Sequence, residues 1–425
     1  MSNTFSTEIL MFQHFVGNFG PTEEHPDPIT ATLGDPKTPS RRRSLHRNEH
    51  PAPSKKRIKL AAEALLELGS TPPSSPKTPE PDSNTSEQET DIFETAHCNV
   101  KCDNCGHEFE TNFETTKKLL RGNFVKEIKK NDSNCDRYTG VPNVQTLKCI
   151  FKWISPCVQS IKLWDGKFKL TSGTKRKQKR KALTLFEEYL MTLVRIRRGY
   201  DTRHIAYLFG ISTSQVTRVF VTWVNVLSRC LGQTIKWPTS EMVTANMPPS
   251  FCDYPKTKAI IDCTEFRVEK PFRPKAQRAT WSSYKHANTC KLLVCIMPSG
   301  AITFISKVYN GGISDAQIVE KSGLLDLIQP GDDIMADRGF NIRHLLLPKG
   351  ATLNIPAFSH GKTLGAKAVK RSRNIASVRI HVERAIGRMK SYRILNGTLP
   401  LRTRFLLNQI TTVVSALSNL HNRLA

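Results

Sequence analysis

The stretch that decides the fold is Lys258-Ala-Ile-Ile-Asp-Cys-Thr-Glu-Phe-Arg-Val268. Apolar and β-branched residues dominate it, which predicts a β-strand. Side chains alternate between the two faces of a strand, so Asp262 shares a face with Thr264 and Phe266, whereas Glu265 lies on the other face. A carboxylate on a buried strand is costly unless it is paired or binds a metal ion. The sequence therefore predicts that other charged groups meet Asp262.

The segments after this strand predict an α/β domain over residues 250–425. Alternation, turn residues and helix caps predict the following elements: strands at Leu292–Met297 and Ala301–Ser306, a short helix capped by Ser314, a strand at Ile334–Asp337, a helix at Asn341–Leu347, a strand at Thr352–Pro356, and a helix from Asn374 to about Tyr392 that follows a basic loop. Three strands, helix, strand, helix, strand and helix is the order of an RNase H-like fold. We therefore predict an RNase H-like catalytic domain.

Three acids of this domain are expected to meet. In an RNase H-like sheet the first and fourth strands are neighbours, so Asp262 and Asp337 come together, and the last helix brings Glu383 to them. Such oxygen ligands suit Mg²⁺ or Mn²⁺, and two ions about 4 Å apart can activate an attacking hydroxyl and stabilise the leaving oxygen of a phosphodiester. We predict that these three acids are both the catalytic and the metal-binding residues. Any one of them alone could instead form a surface salt bridge.

Other charged residues near these acids have alternative roles. Arg379 and Lys390 lie on the same helix face as Glu383, which predicts contacts with DNA phosphates. Asp315 is the rival acid, but its place at a helix start favours a capping or dipole role. The excursion Glu269–Asn288 interleaves basic and aromatic residues around Lys285. This pattern is typical of a nucleic-acid contact, with a packed aromatic cluster beside a solvated face as the alternative.

The overall charge points to the same partner. Lys and Arg number 63 and Asp and Glu 37, which gives a formal net charge of +26. So large a surplus indicates a polyanionic partner, here double-stranded DNA. No apolar run approaches the roughly 20 residues of a membrane span, so a membrane partner is not expected.

Residues 1–95 are rich in Pro, Ser and Thr and are predicted to be disordered. The clusters Arg41–Arg43 and Lys55–Lys59 are typical of nuclear-import signals or phosphate-binding patches, so we expect a nuclear location. Residues 96–137 form a Cys-containing segment of uncertain structure. Cys102 and Cys105 have the spacing of a zinc knuckle, but no second pair follows. Zinc binding and free cysteines both remain possible there.

A helical domain is predicted over residues 138–235. A helix at Val144–Ile154 is expected to stop before Pro156. Further on, Asp201 can cap one helix, Gly210 can end it, and Ser212 with its partner three residues later can form a capping box for the next. This pattern predicts a helix-turn-helix. We predict that the second helix contacts DNA through four residues: Ser214, Gln215, Thr217 and Arg218. The alternative is that the two helices form an ordinary helical hairpin.

Several motifs together resemble the DDE transposases of eukaryotic DNA transposons, nearest to the PIF/Harbinger-like group. They are Ile261-Asp-Cys-Thr-Glu265, Thr280-Trp-Ser-Ser-Tyr-Lys285, Gly312-Ile-Ser-Asp315, Met335-Ala-Asp-Arg-Gly-Phe340 and Arg379-Ile-His-Val-Glu-Arg-Ala-Ile-Gly-Arg388, and the resemblance covers roughly Tyr138–Ala425. It implies a metal-dependent nuclease and strand transferase that binds transposon ends. The catalytic acids of the family fall on Asp262, Asp337 and Glu383.

The resemblance also bears on partners. It implies an accessory DNA-binding protein, and a homodimer is the other assembly we consider. The zinc module that some relatives carry, the THAP module, is not matched by the Cys-containing segment. Two functions are therefore weighed: an active transposase, and a domesticated sequence-specific DNA-binding protein whose nuclease is idle. The intact set of acids favours the first.

Overall fold

The computed structural model describes residues 97–101, 108–158, 162–164, 166, 182–357 and 365–424. The N-terminal region with its two basic clusters, and the pair Cys102 and Cys105, lie outside the described residues. The predictions of disorder, nuclear import and zinc binding therefore concern parts of the chain that the structure does not describe.

The region before residue 250 is a short hairpin followed by helices. Its elements are β1 His97–Lys101, β2 Glu108–Asn112, α1 Phe113–Lys129, α2 Asp132–Thr139, α3 Val144–Val158, α4 Leu185–Arg198, α5 Thr202–Phe209, α6 Thr213–Gly232 and α7 Ser240–Ala245. Helices α1 and α2 lie in the segment whose structure the sequence left uncertain. Arg121 of α1 donates to Glu187 of α4 at 2.8 Å and to the carbonyl of Phe209 at 3.2 Å. The helical region therefore begins earlier than residue 138.

The expected stop of α3 before Pro156 is wrong, because the helix continues through this proline to Val158. Proline lacks the N–H that would bond to the carbonyl of Lys152. The hydroxyl of Ser155 donates to that carbonyl at 3.2 Å. A neighbouring side chain thus replaces the lost backbone bond near the end of the helix, where the helix needs few further bonds.

The second region is built on a mixed sheet. Its elements are β3 Thr257–Val268, α8 Pro274–Thr280, β4 Trp281–Ser282, β5 Ala287–Ile296, β6 Ile302–Ile305, β7 Tyr309–Asn310, α9 Asp315–Lys321, β8 Asp333–Ala336, α10 Arg343–Leu346, β9 Thr352–Asn354, α11 Ala366–Lys390, β10 Thr398–Leu399 and α12 Leu407–Ser418. The strand order is β4–β5–β3–β8–β9, with β6 and β7 paired to β5 and β10 paired to β3. Strand β5 runs antiparallel to β3, whereas β8 and β9 run parallel. This topology confirms the predicted RNase H-like α/β fold.

Both faces of the sheet are covered. Ile260 and Phe266 join a core that includes α11 and α12 and extends into the helical region around Trp223. Ala259 and Ile261 face a second core, formed with α9 and α10. The central strand is thus buried on both sides at its start, which explains why a nearly continuous apolar run forms it.

Three features of this region were not predicted. Helix α11 begins at Ala366 rather than at Asn374, because the basic stretch before Asn374 consists largely of Ala, Lys and Arg, which favour helices. Strand β10 adds two residues beside the end of β3, and α12 packs against α6. In the part of the chain that the structure describes, no helix is long and apolar enough to cross a membrane.

Candidate active site

Three acids come together on the side of the sheet that α11 packs against. Asp262 lies in the middle of β3, and Asp337 directly follows the last residue of β8. The register pairs Ile261 with Ala336, so the two acids are next to each other on adjacent parallel strands. Glu383 reaches them from α11, which packs on this face of the sheet. The structure therefore brings together the three acids that the sequence singled out.

Arg379 lies at the centre of the three acids. Its guanidinium is 2.7 Å from Oε1 of Glu383, 3.7 Å from Oδ1 of Asp337 and 4.0 Å from Oδ2 of Asp262. Glu383 is four residues further along the helix, so both side chains lie on one helix face. The sequence placed Arg379 among the phosphate contacts. In the structure this side chain pairs with the carboxylates, and its four-residue spacing from Glu383 was the signal for that pairing.

The acids differ in exposure. The Asp262 side chain is 22% exposed, whereas those of Asp337 and Glu383 are 51% and 54% exposed. Burial raises the pKa of Asp262 to about 6, and the neighbouring charges of Asp337 and Glu383 act in the same direction. The Arg379 guanidinium and the backbone N–H of Cys263, which donates to Oδ1 at 2.8 Å, limit this rise in the pKa. Asp262 is therefore the acid that most needs a cation nearby.

The donor chemistry of this site fits a hard divalent cation. All three side chains supply carboxylate oxygens, the ligands that Mg²⁺ and Mn²⁺ prefer. They already converge on one cationic group, the guanidinium of Arg379. As the side chains are placed, no three His, Cys, Asp or Glu residues among those described lie close enough together to share one ion. A metal ion would thus require small shifts of carboxylates that Arg379 now holds.

Two lysines lie near the acids. Lys390 is half-buried and lies seven residues after Glu383 on α11. Burial lowers the pKa of Lys390, and the charge of Lys285 lowers it further. The charges of Asp262 and Glu265 raise the same pKa. Lys390 is therefore within electrostatic reach of both Lys285 and Asp262. Lys285 itself is exposed, with its Nζ atom 4.4 Å from the centre of the Tyr284 ring.

Asp315 belongs to a different cluster. The Nζ atom of Lys291 lies 3.2 Å from Oδ1 of Asp315 and 3.5 Å from Oε1 of Glu265. Thr289 donates to Oε2 of Glu265 at 2.8 Å. Strand parity had placed Glu265 on the face opposite Asp262, and its partners agree with that. Asp315 is thus engaged by a lysine, in addition to its position in the first turn of α9, where Ser314 forms the capping box.

An open cavity of about 350 Å³, which no sequence pattern predicted, lies beside Asp337. Arg338 and Arg373 contribute to its wall from opposite sides, on the loop after β8 and on α11. The remaining lining residues are Pro356, Val369, Ser372 and Ala376. This cavity extends the acidic site towards a basic surface. Arg373 reaches the cavity because α11 packs beside the end of β8. Packing between distant elements cannot be read from the sequence.

The helix-turn-helix is formed by α5 and α6. Asp201 caps α5 by accepting from the N–H of His204 at 2.8 Å, and Ser212 caps α6 in a capping box with Gln215. Gly210 ends α5 with a φ of +62°, and a Cβ there would lie 2.8 Å from Cβ of Lys117. Glycine is thus required at this turn both by the backbone conformation and by the close approach of α1.

The four residues predicted to contact DNA from α6 are differently engaged. Ser214 is exposed and Arg218 is exposed, but Nε of Arg218 donates to the carbonyl of Trp164 at 2.9 Å. Gln215 accepts from Ser212 within the capping box, and Thr217 donates to the carbonyl of Thr213 at 3.2 Å. All four lie on the first turns of α6 and none is buried. The first turns of this helix are therefore the part accessible to a ligand.

Comparison with known proteins agrees with both regions. Residues 261–422 match the family described as DDE superfamily endonuclease. Residues 181–233 match the family described as helix-turn-helix of DDE superfamily endonuclease. No curated protein matches the chain. Endonucleases of the DDE superfamily generally use divalent metals. The two matches together support a transposase-like endonuclease of the DDE superfamily with a DNA-binding helix-turn-helix.

Proposed function

We propose that this protein is a DNA transposase that cleaves and joins DNA phosphodiesters, with Asp262, Asp337 and Glu383 as its catalytic triad. The observation that carries the proposal is the convergence of these three carboxylates on one cationic group, within 4.0 Å of the Arg379 guanidinium. Each acid comes from a separate element, and a surface salt bridge would need only one of them. The position of the site at neighbouring parallel strands supports the same assignment.

Metal binding would involve the same three side chains. We propose that their oxygens would hold Mg²⁺ or Mn²⁺, and the bound ions would supply activation of the attacking hydroxyl and stabilisation of the leaving oxygen. In each reaction an oxygen of water or of a DNA hydroxyl forms a bond to phosphorus, and the bond to the leaving oxygen breaks. The attacking oxygen gives its proton to solvent water, and the leaving oxygen takes a proton from solvent water. The burial that raises the pKa of Asp262 would make its ionised form depend on the nearby cation.

Basic side chains would position the DNA. Lys390 and Lys285 lie close enough to influence each other and carry the charge that a phosphate would neutralise. Arg379 could contact a phosphate only after leaving the carboxylates that it now pairs with. Ser214 and Arg218 are exposed at the start of α6, where a duplex would meet the helix-turn-helix. Gln215 and Thr217 would act there mainly through the structure of the turn.

Several finer assignments are proposals on the evidence of sequence alone. The motifs of residues 261–388 favour the PIF/Harbinger-like group. The clusters at Arg41–Arg43 and Lys55–Lys59 favour nuclear import. A homodimer or an accessory DNA-binding protein would complete the assembly at transposon ends. The proposal of nuclear import is independent of the site and would survive its failure.

The test is cleavage of labelled DNA that carries candidate transposon ends, in Mg²⁺ or Mn²⁺. Asp337→Asn and Glu383→Gln should abolish cleavage by the full-length protein while DNA binding, followed by fluorescence anisotropy, is kept. Asp326→Asn is the matched control, because Asp326 is 83% exposed and pairs only with Lys349 at 3.8 Å among the contacts described. Cleavage that survives both site substitutions would overturn the triad. Salt-dependent binding without cleavage by the wild type would favour the domesticated DNA-binding protein.

A further inference from the structure

We infer that an exposed aromatic surface on the segment between β3 and β5, formed by Phe272, Trp281, Tyr284 and Lys285, binds unpaired bases of DNA. We call these four residues the stacking surface. The inference rests on the proposed function, since it specifies which form of DNA the site takes. Such a surface would hold a DNA strand that has separated from its complement.

The exposure of the rings is the first observation. Phe272 is 95% exposed, Tyr284 is 80% exposed and Trp281 is 46% exposed. Aromatic side chains gain free energy when they leave water, so three such rings within one short segment need an explanation. A concentration of exposed apolar rings in one short segment typically marks a binding site.

The rings are carried on an ordered support. Helix α8 lies between Phe272 and Trp281 and has no buried residue. It is fixed from below, where the side-chain amide of Asn288 donates to the carbonyl of Gln277 at 3.0 Å and to Oγ1 of Thr280 at 2.8 Å. The N–H of Gly312 donates to the carbonyl of Ala279 at 3.0 Å, and a Cβ at Gly312 would lie 2.9 Å from that oxygen. The segment is thus anchored on one side and open on the other, so little entropy is lost when a ligand binds.

The charge of the segment selects a nucleic acid. Residues 270–286 contain five Lys and Arg and no Asp or Glu. The Nζ atom of Lys285 lies 4.4 Å from the centre of the Tyr284 ring, so one cation and one ring are in direct contact. Aromatic rings stack on bases and cations meet the phosphates of the same strand. An apolar protein partner would use the rings but would have no need for this concentration of positive charge.

The strand must be unpaired because the faces of bases are covered in an intact duplex. A base becomes available for stacking on a protein ring only after it leaves its own stack. The segment that carries the surface connects β3, the strand of Asp262, to its antiparallel partner β5. DNA is favoured over RNA because the segment lies within residues 261–422, which match the family described as DDE superfamily endonuclease.

The test compares the binding of four ligands to full-length protein without metal, by fluorescence anisotropy: a duplex, the same duplex with a short gap, a DNA single strand and an RNA single strand. The gap carries 2-aminopurine, whose fluorescence falls when the base stacks. Tyr284→Leu keeps an apolar side chain but removes the ring, and Tyr284→Phe keeps the ring. Leu347→Ala is the control, because Leu347 is 67% exposed outside this segment.

We expect the wild type and Tyr284→Phe to bind gapped DNA more tightly than intact duplex and to quench 2-aminopurine. Tyr284→Leu and Trp281→Leu should each weaken the binding of gapped DNA roughly fivefold or more, with duplex binding unchanged, and should lose the quenching. Equal binding of gapped and intact duplex by the wild type, stronger binding of RNA, or the same loss in Leu347→Ala would overturn the inference. None of these binding results depends on cleavage, so the proposed function stands or falls separately on Asp337→Asn.

Discussion

Replacement of Arg379 by Gln is the substitution that most directly tests how the site is held together. Arg379 is 14% exposed and pairs with all three acids. Gln keeps the first methylene groups of the Arg side chain but ends in an uncharged amide. The substitution therefore leaves three carboxylates close together without a neutralising cation, and it removes the main electrostatic effect that lowers the pKa of Asp262.

The magnitude follows from the exposure of each partner. Asp337 and Glu383 are about half exposed, and such ion pairs contribute roughly 0.2–1 kcal/mol each. Asp262 is less exposed, so its pair, although 4.0 Å long, is screened less by water. Without metal, Arg379→Gln should lower the free energy of unfolding by about 1–3 kcal/mol. In a domain of this size that corresponds to a fall in the melting temperature of about 2–10 °C.

The assay is thermal denaturation in EDTA and again in a series of Mn²⁺ concentrations, with Mn²⁺ binding followed by electron paramagnetic resonance. Arg384→Gln is the matched control, because it removes the same charge from the same helix, and Arg384 contacts only the carbonyl of Leu424 among its described hydrogen bonds. Arg379→Gln should be less stable in EDTA, bind Mn²⁺ more tightly than the wild type, and regain stability as Mn²⁺ is added.

Two results would refute this reasoning. If Arg379→Gln melted at the same temperature as Arg384→Gln in EDTA, the three ion pairs would contribute nothing measurable. If it bound Mn²⁺ no more tightly than the wild type, the guanidinium and the ion would not compete for the same carboxylates. In either case the convergence of the acids on Arg379 would be an arrangement without energetic consequence.

Three further predictions concern the acid pKa, a glycine pair and the second charged cluster. The pKa of Asp262 is about 6 in the folded protein against 3.8 as its ordinary value, so between these pH values the folded state binds more protons and the free energy of unfolding falls as the pH rises. Asp262→Asn should therefore be more stable than the wild type in EDTA above pH 6, with the difference shrinking towards pH 4 in matched melting curves. Gly210→Ala should destabilise by about 1 kcal/mol or more, because of its positive φ and the 2.8 Å approach to Lys117, whereas Gly122→Ala, which has open space inside α1, should stabilise by roughly 0.5–1 kcal/mol. Chemical denaturation of the two glycine variants would reveal the opposite signs. Lys291→Met leaves two carboxylates without their lysine and should destabilise by roughly 3 kcal/mol, and a change within 0.5 kcal/mol in urea titrations would contradict the importance of this cluster.

Local patterns in the sequence were sufficient for the central elements. The run of β-branched and apolar residues at Lys258–Val268 matches β3, which begins one residue earlier. Strand parity correctly separated Asp262 from Glu265, whose partners lie on opposite faces. The capping box of Ser212 and Gln215 forms as predicted. In each case the information lies within a few neighbouring residues, because period and capping are local properties.

Features that depend on distant residues could not be predicted in the same way. Strand β10 has only two residues. Its pairing with the end of β3 depends on how the preceding part of the chain packs. Helix α12 follows a run of 3₁₀ turns, which separates it from the pattern of α11. The charge of Arg379 predicted a phosphate contact, but only the approach of β3 and β8 to α11 provides the carboxylates that it meets. Charge alone does not identify the partner of a side chain.

The packing of α12 has a consequence for how binding and cleavage are connected. This helix lies along α6, and Gly232 of α6 leaves room for Thr412 of α12, with a Cβ there only 3.0 Å from Cγ2. On its other side α12 packs against α11, which carries Glu383. A single apolar core thus joins the second helix of the helix-turn-helix to the helix that completes the acidic site. If the first turns of α6 bind a duplex, that duplex is held at a fixed distance from the carboxylates, because α6 and α11 pack into the same core. The position of the cut relative to the bound sequence would then be set by helix packing.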